Sequence, residues 1–413
     1  MEPYFTTTDG IGGRIKKRIA DFLVSEIGID GTKYEIKAFT DTEKIDVEKQ
    51  WPENNGEEHL QLTLEKYNTD QNNAIRMITR HLRTSRKRVG YAGMKDKRAI
   101  TVQRISIWKP EYERVKEFRS RYVDLRDAEW SADRIELGDL KGNAFEITIR
   151  EIALGKEGLE KRILDFFKQA ENGVPNYFGE QRFGGIRQVT HLVGKEFIEG
   201  SPERAVMLYL CNTNEREEED VRTARQNLAA SNDFAAATRE FPMKYRYERS
   251  IIHHLCKYPK DYVGAFQKLP SKLQYMFTHA LQSHLFNKVI AKRIGMGFGL
   301  KEIEGDVLEE GVPTAPLFGF ESTIAEGKAG EIERKVLEEE AVSLEDFKVK
   351  EYPQLSSKGA RKRIVLYPKD MKLIGIGEDE QTEGMRKAVI SFSLEKGAYA
   401  TTVLRELMKN EMR

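Results

Sequence analysis

The chain is poor in cysteine: only Cys211 and Cys256 occur in 413 residues. Two thiols cannot build a disulfide framework or a multi-cysteine zinc site, which excludes both kinds of small stapled scaffold. Long apolar runs are also lacking, and without ~18 consecutive uncharged apolar residues no transmembrane helix is expected. The amino end, MEPYFTTTDGIGG, has no basic start leading into an apolar stretch, so no signal peptide is expected and a cytoplasmic protein is. There is no GxxxxGKS/T phosphate loop, no HExxH, no paired CxxC and no GxSxG elbow. Gly10, Gly12 and Gly13 cluster with no strand before them, which argues against a dinucleotide fingerprint. His253 and His254 lack cysteine partners, and His279 and His284 fall in an apolar helix, so packing or surface roles are expected rather than metal binding. Neither a metal nor a cofactor is expected, and no pattern sets an oligomeric state.

Net charge of one sign is missing as well: 68 Lys+Arg stand against 67 Asp+Glu. The distribution is far from even. Arg80 to Arg98 holds eight Lys/Arg and a single acid, Asp96, and a second basic cluster is Lys358, Arg361, Lys362 and Arg363. Glu215 to Asp220 reads EREEED, and residues 301–347 hold fourteen acids against four Lys/Arg. Opposed patches can offer a basic groove to a phosphate backbone even when the total is neutral. Any one such run also suits a solvated face.

What is present is enough for two or three domains, with 39% hydrophobic residues under a heavily charged surface. Phe22-Leu23-Val24 and Leu60 to Leu64 read as strands. Thr69 or Asp70 can cap a helix with Ile75, Ile78 and Leu82 on one face and Arg76, Arg80 and Arg83 on another. Arg134 to Arg150 reads as a hairpin turning at Lys141-Gly142-Asn143, with Phe145, Ile147 and Ile149 inward. Helices are expected over about Lys156 to Ala170 and over Leu273 to Arg293. Strands return at Arg363 to Tyr367 and Ala388 to Leu394, followed by a helix carrying Val403, Leu404 and Leu407. Sheet-like ends around a helical middle suggest an inserted domain.

Two segments carry chemistry. In Val89 to Gln103 (VGYAGMKDKRAITVQ), Gly90 and Gly93 are read as permitting tight turns and Ala99 to Val102 as starting a strand. Asp96 therefore sits on a loop among Lys95, Lys97 and Arg98, cations that favour an ionised, nucleophilic carboxylate and attract phosphates. A turn aspartate in a surface salt bridge fits the same pattern. In Val174 to Gly185 (VPNYFGEQRFGG), Tyr177, Phe178 and Phe183 lie among Asn176, Gln181 and Arg182, a mixture suited to stacking on and hydrogen bonding to a flipped base. Singly, these aromatics also suit a hydrophobic plug under a loop.

Together the two segments resemble the signature motifs of the TruD family of tRNA pseudouridine synthases, GxAGxKDxxAxTxQ and NYFGxQRFG. The resemblance runs on through Lys16 with Asp21 to Glu26, Leu64 to Thr69, Gly142 to Phe145, Thr190-His191, Ala280 to Asn287, Gly397 to Thr401 and Leu404 to Leu407. It implies an α/β (α+β) fold: a pseudouridine-synthase catalytic domain with a mixed antiparallel sheet, circularly permuted, carrying an inserted TRUD domain. On that basis residues 1–194 and 361–413 form the catalytic domain and 195–360 the insertion. The implied activity is cofactor-free isomerisation of uridine 13 of tRNA to pseudouridine, with Asp96 catalytic and the uridine turned out of its stack. Phe178 is implied as the stacking ring and Asn176 as a hydrogen-bond partner. Arg182 is placed in the same pocket, with Lys16, Lys95, Lys97 and Arg98 holding Asp96 and phosphates, and Tyr399 closing the pocket. The implied partner is tRNA, with no membrane. An inactive RNA binder of the same fold, and an adaptor using the acidic stretch 301–347, are the competing expectations.

Overall fold

Apolar residues alternate along most of the strands that build the main sheet. These are β1 (Phe22–Ile27), β2 (His59–Tyr67), β3 (Val89–Tyr91), β4 (Ile100–Trp108), β5 (Val123–Ser131), β6 (Gly142–Ile152), β7 (Lys369–Glu378) and β8 (Arg386–Glu395). The structure, a computed structural model, describes residues 2–410. The strands run in the order β7-β8-β6-β1-β4-β2-β5, with β3 added beside β4. Only β1 and β4 are parallel among these pairings, so the sheet is mixed and the fold is α/β.

β4 lies at the centre, buried over its length except at Trp108. β2 pairs with its whole length on one edge, whereas the other edge is shared by β1 opposite residues 100–102 and β3 opposite residues 105–107. That sharing leaves a gap at Gln103 and Arg104, and the gap positions the site described below. The helix Lys156–Ala170 buries Leu159, Ile163, Phe166 and Phe167 in one core with Phe145, Ile147, Ile149 and Ile390, joined by Val403, Leu404 and Leu407 of the helix Ala400–Met408. The helix Gln71–His81 is capped by the Asp70 side chain, which accepts from the Asn73 amide, and buries Ile75 and Ile78 in a second core with Leu60, Leu62 and Ile105.

The expected hairpin over residues 134–150 does not form. Gly142 begins β6 instead of turning, and its neighbours across the strand are Ile27 of β1 and Glu395 of β8. A Cβ there would meet the Leu394 carbonyl oxygen at 2.1 Å, so the glycine is required by close strand packing. The inward alternation of Phe145, Ile147 and Ile149 is as expected.

Contacts divide the chain into two units, one of Thr6–Val174 with Leu366–Arg413 and one of Met1–Phe5 with Pro175–Val365. The chain thus passes between them at 5/6, 174/175 and 365/366, whereas the sequence reading puts the limits of the insertion at 194/195 and 360/361. Residues 175–194 lie with the helical unit because the helix Thr190–Ile198 packs along the helix Ser271–Gly295; Gly194 allows this, since a Cβ would meet the Phe277 carbonyl oxygen at 2.3 Å. The second unit adds further helices, including Glu219–Ser231, Arg246–Lys257 and Gly327–Glu339, and a three-stranded antiparallel sheet of Leu308–Glu309, Val312–Leu317 and Ala360–Arg363.

The acidic runs are partly consumed inside this unit. Glu217 and Glu248 meet Arg225 at 3.2 and 2.9 Å, Asp306 meets Arg293 at 2.6 Å, and Glu333 meets Arg361 at 2.7 Å. No helix among the described residues is long and apolar enough to cross a membrane.

Candidate active site

Asp96 stands on the loop between β3 and β4, and three buried side chains hold that loop from beneath. Lys66, at the end of β2, is buried, and its ammonium donates to the Thr69 carbonyl at 2.8 Å and to the carbonyls of Lys95 and Asp96. Gln103 of β4 donates to the Gly93 carbonyl at 3.1 Å. Lys95 turns inward and meets Glu26 of β1 at 2.6 Å, both side chains being almost wholly buried. The second Glu26 oxygen accepts from the Arg104 amide at 3.1 Å, filling the gap between β1 and β3 on the edge of β4.

The electrostatics follow from burial. Desolvation pulls the Lys66 ammonium down to about 8, against the opposing pull of Asp96 and Asp70. It pushes the Glu26 carboxyl up from its ordinary range, with Lys95 and the Arg104 amide working the other way. Buried charges need partners, and here each has one. Together they fix the backbone on both sides of Asp96 while leaving its carboxylate at the surface.

That carboxylate meets Lys16, whose ammonium lies 3.1 Å from Oδ1 and 4.0 Å from the centre of the Phe22 ring. Lys16 adopts a left-handed backbone conformation at φ 57°, uncommon for a side chain of its size. With Asp96 44% exposed, such a pair is worth about 0–1 kcal/mol, so its contribution is orientation rather than stability. Lys97 is exposed, and Arg98 donates to the Lys17 carbonyl at 3.1 Å. Tyr399 stands 52% exposed just before the helix Ala400–Met408. Gly90 and Gly93 do not take left-handed conformations, so they are not turn glycines. Gly90 is needed because a Cβ would meet the Ile135 carbonyl oxygen at 2.2 Å. Arg80 and Arg83 line an open cleft of about 740 Å³ with Met77, His81 and Phe118, to which Asp96 does not contribute.

Asn176, Phe178 and Arg182 belong to the other unit, where they form a second constellation. The helix Ser271–Gly295 supplies Ser283, Phe286 and Asn287 from one face, at the i, i+3, i+4 spacing that places side chains together. The buried amide of Asn287 grips the Phe178 backbone from both sides, accepting from its N–H at 2.9 Å and donating to its carbonyl at 3.0 Å. Arg182 donates to Ser283 Oγ at 2.9 Å and lies 5.4 Å over the Phe178 ring, which meets Phe286 edge-on at 5.5 Å. Asn176 is buried; its Nδ2 donates to the Arg363 carbonyl at 2.9 Å and its Oδ1 has no partner among the described residues. Tyr177 and Phe183 pack inward, and only Phe178 of the three aromatics is partly open.

Four of these residues, Glu26, Lys66, Ser283 and Asn287, fall inside the sequence motifs quoted above but were not singled out as site residues. Their signal was polarity at strand or helix positions expected to be buried. Among the described residues no group of three or more His, Cys, Asp or Glu could hold a metal ion.

The fold that carries this site also agrees with the comparisons. The chain matches the family model for tRNA pseudouridine synthase D (TruD) over residues 1–311 and 308–407. It is 39% identical to a probable tRNA pseudouridine synthase D of Methanosarcina acetivorans, over 98% of this chain and 95% of that one. The corresponding protein of Methanopyrus kandleri is 40% identical over 86% of both chains. A crystal structure of a candidate TruD from Methanosarcina mazei matches with a TM-score of 0.81 and 36% identity, covering 99% of this chain and 96% of that one. The fold and these matches define a pseudouridine synthase, an isomerase. The chain belongs to the TruD family.

Proposed function

We propose that the chain isomerises uridine 13 of tRNA to pseudouridine, with Asp96 as the catalytic group and no cofactor. Support comes from the Asp96 loop: a carboxylate kept accessible and met by Lys16, on a backbone that Lys66 and Gln103 hold still. In the reaction the N1–C1′ bond breaks, the uracil turns, and a C5–C1′ bond forms, while the C5 proton is lost and N1 gains one. Atoms and electrons balance without an oxidant or a reductant. Asp96 attacks the ribose or the uracil ring, or takes a proton from the ribose; each role calls for a positioned, ionised carboxylate. Turning the uridine out of its stack costs roughly a few kcal/mol. Phe178, the partly open ring of its loop, is suited to recover part of this by stacking, with Asn176 and Arg182 beside it. Lys97 and Arg98, both exposed, are suited to phosphate contacts, whereas the role we assign to Lys95 is to hold the loop through Glu26.

The test incubates the wild-type chain and Asp96→Asn with unmodified tRNA transcript and maps pseudouridine by position. Product at uridine 13 from the wild type alone is expected, with tRNA binding kept by the variant. Product elsewhere would change the substrate, and product from Asp96→Asn would refute the catalytic assignment.

A further inference from the structure

The basic cluster Lys358, Arg361, Lys362 and Arg363 is not explained by the site as described, and its members have different fates. Lys358 meets Glu321 at 3.1 Å, with both side chains largely exposed. Arg361 and Arg363 alternate with Lys362 along the strand Ala360–Arg363, so the two guanidiniums share one face and the ammonium takes the other. On their face, Arg361 meets Glu333 at 2.7 Å and donates to Thr314, and Arg363 meets Glu309 and Glu310 at 3.2 and 2.5 Å. Lys362 meets rings instead. Its ammonium lies 5.4 Å from the centre of Phe178 and 5.8 Å from that of Phe286; among the described residues no acceptor or acid lies within hydrogen-bond or ion-pair distance, and Glu309, held by Arg363, acts on it only from farther away.

This leaves three N–H donors unused beside the ring assigned to the flipped base. Cation–π contacts are worth about 0.5–2 kcal/mol, which does not replace the hydration lost when an ammonium is partly buried without an anion. The Phe178 ring is approached by two cations, Arg182 and Lys362, each at 5.4 Å.

We propose that Lys362 binds a phosphate oxygen of the substrate RNA, on the strand whose base stacks on Phe178. This rests on the functional reading above. Arg361 and Arg363 tie the small sheet to its acidic neighbours, Lys358 pairs at the surface, and Lys362 is the one that meets nucleic acid. Its partial burial, which pulls the ammonium down to about 8, is relieved when the phosphate arrives.

Affinity for an unmodified tRNA transcript is to be measured against KCl concentration for the wild type, Lys362→Met, Lys362→Arg and Lys358→Met, with pseudouridine formation followed in parallel. Lys362→Met should weaken binding about tenfold at low salt and lower the slope of log Kd against log salt by about 0.7–0.9, the loss of one phosphate contact. Lys362→Arg should keep the slope, and Lys358→Met should match the wild type. Melting temperatures separate lost contact from lost fold: Lys362→Met should melt no lower than the wild type, since it removes a poorly compensated charge. If the wild type forms pseudouridine while Lys362→Met keeps its affinity and slope, the inference fails alone. Weakened turnover with an unchanged slope would overturn the phosphate assignment, as would lost binding that Lys362→Arg does not restore. If the wild type neither binds nor modifies tRNA, the functional reading falls, and this inference with it.

Discussion

The buried ammonium of Lys66 holds the backbone carbonyl of Asp96, the residue 30 positions further along the chain whose side chain faces solvent. Because Lys66 also binds the carbonyls of Thr69 and Lys95, one side chain fixes the backbone of the Asp96 loop and the turn before the helix Gln71–His81. Lys66→Met leaves those carbonyls without their donor and lets the loop move. The expected result is a fall in kcat of about 10- to 100-fold with KM changed much less, since a shift of ~1 Å at a catalytic group costs on that order. A raised KM with kcat unchanged, measured on tRNA transcript, would mean that Lys66 supports binding rather than positioning.

Lys95 and Glu26 lie 69 residues apart in sequence and are each other's charge partner. Removing one charge of a buried pair costs about 3–5 kcal/mol, because the other is left uncompensated. Lys95→Met and Glu26→Leu should therefore each lower the unfolding midpoint strongly. The double variant should lose much less than the sum of the two. A double-mutant cycle in denaturant measures this coupling, and additive losses would contradict the pair as described.

Asn287 clamps Phe178 through two backbone hydrogen bonds. Asn287→Ala should cost about 1–3 kcal/mol in stability from the groups left unpaired. It should also raise KM for tRNA several-fold while leaving the Asp96 loop untouched, as read by unchanged protection of Ala99 and Asn68 amides in hydrogen exchange.

In the helical unit, acid sensitivity should centre on His191 and Glu340. The His191 and His284 rings stack at 4.4 Å, and His284 lies 3.5 Å from Glu340. Burial, with His284 beside it, pulls His191 down to about 4 from 6.5. His284, ahead of Lys288 and against burial, holds the Glu340 carboxyl at about 2, below its ordinary 4.5. The unfolded chain takes up a proton at His191 near pH 6.5 and the folded chain does not, so stability falls as pH drops from about 6.5 to 4. The Glu340 contribution is complete above about 4.5 and is lost toward 2. Melting temperature followed from pH 7 to 3 should show both losses, and His191→Phe should flatten only the upper one. An unchanged profile in that variant would reassign the sensitivity.

Much of this protein was legible in its sequence. The helix over 156–170, the strand periodicity of Phe145, Ile147 and Ile149, the Asp70 cap and the two chemical loops all depend on neighbours a few residues apart, and local patterns record such neighbours. β7 left little trace because it is an edge strand, exposed on much of both faces, so no alternation marks it. The glycines Gly90 and Gly142 were visible but misread as turn glycines, since what each avoids is a carbonyl far along the chain, that of the loop residue Ile135 for Gly90 and that of Leu394 in β8 for Gly142.

What only the tertiary structure decided is which charges meet. From sequence, Lys95 belonged with Asp96; the order of β1, β4 and β2 in the sheet gives it to Glu26 and hands the Asp96 carbonyl to Lys66. Likewise, of a cluster of four basic residues, Lys358, Arg361 and Arg363 found carboxylates, whereas strand alternation turned Lys362 away from its neighbours' acids toward two rings, with no ion pair among the described residues. Electrostatic partnership depends on distance and burial in space, and sequence spacing does not encode either across a sheet.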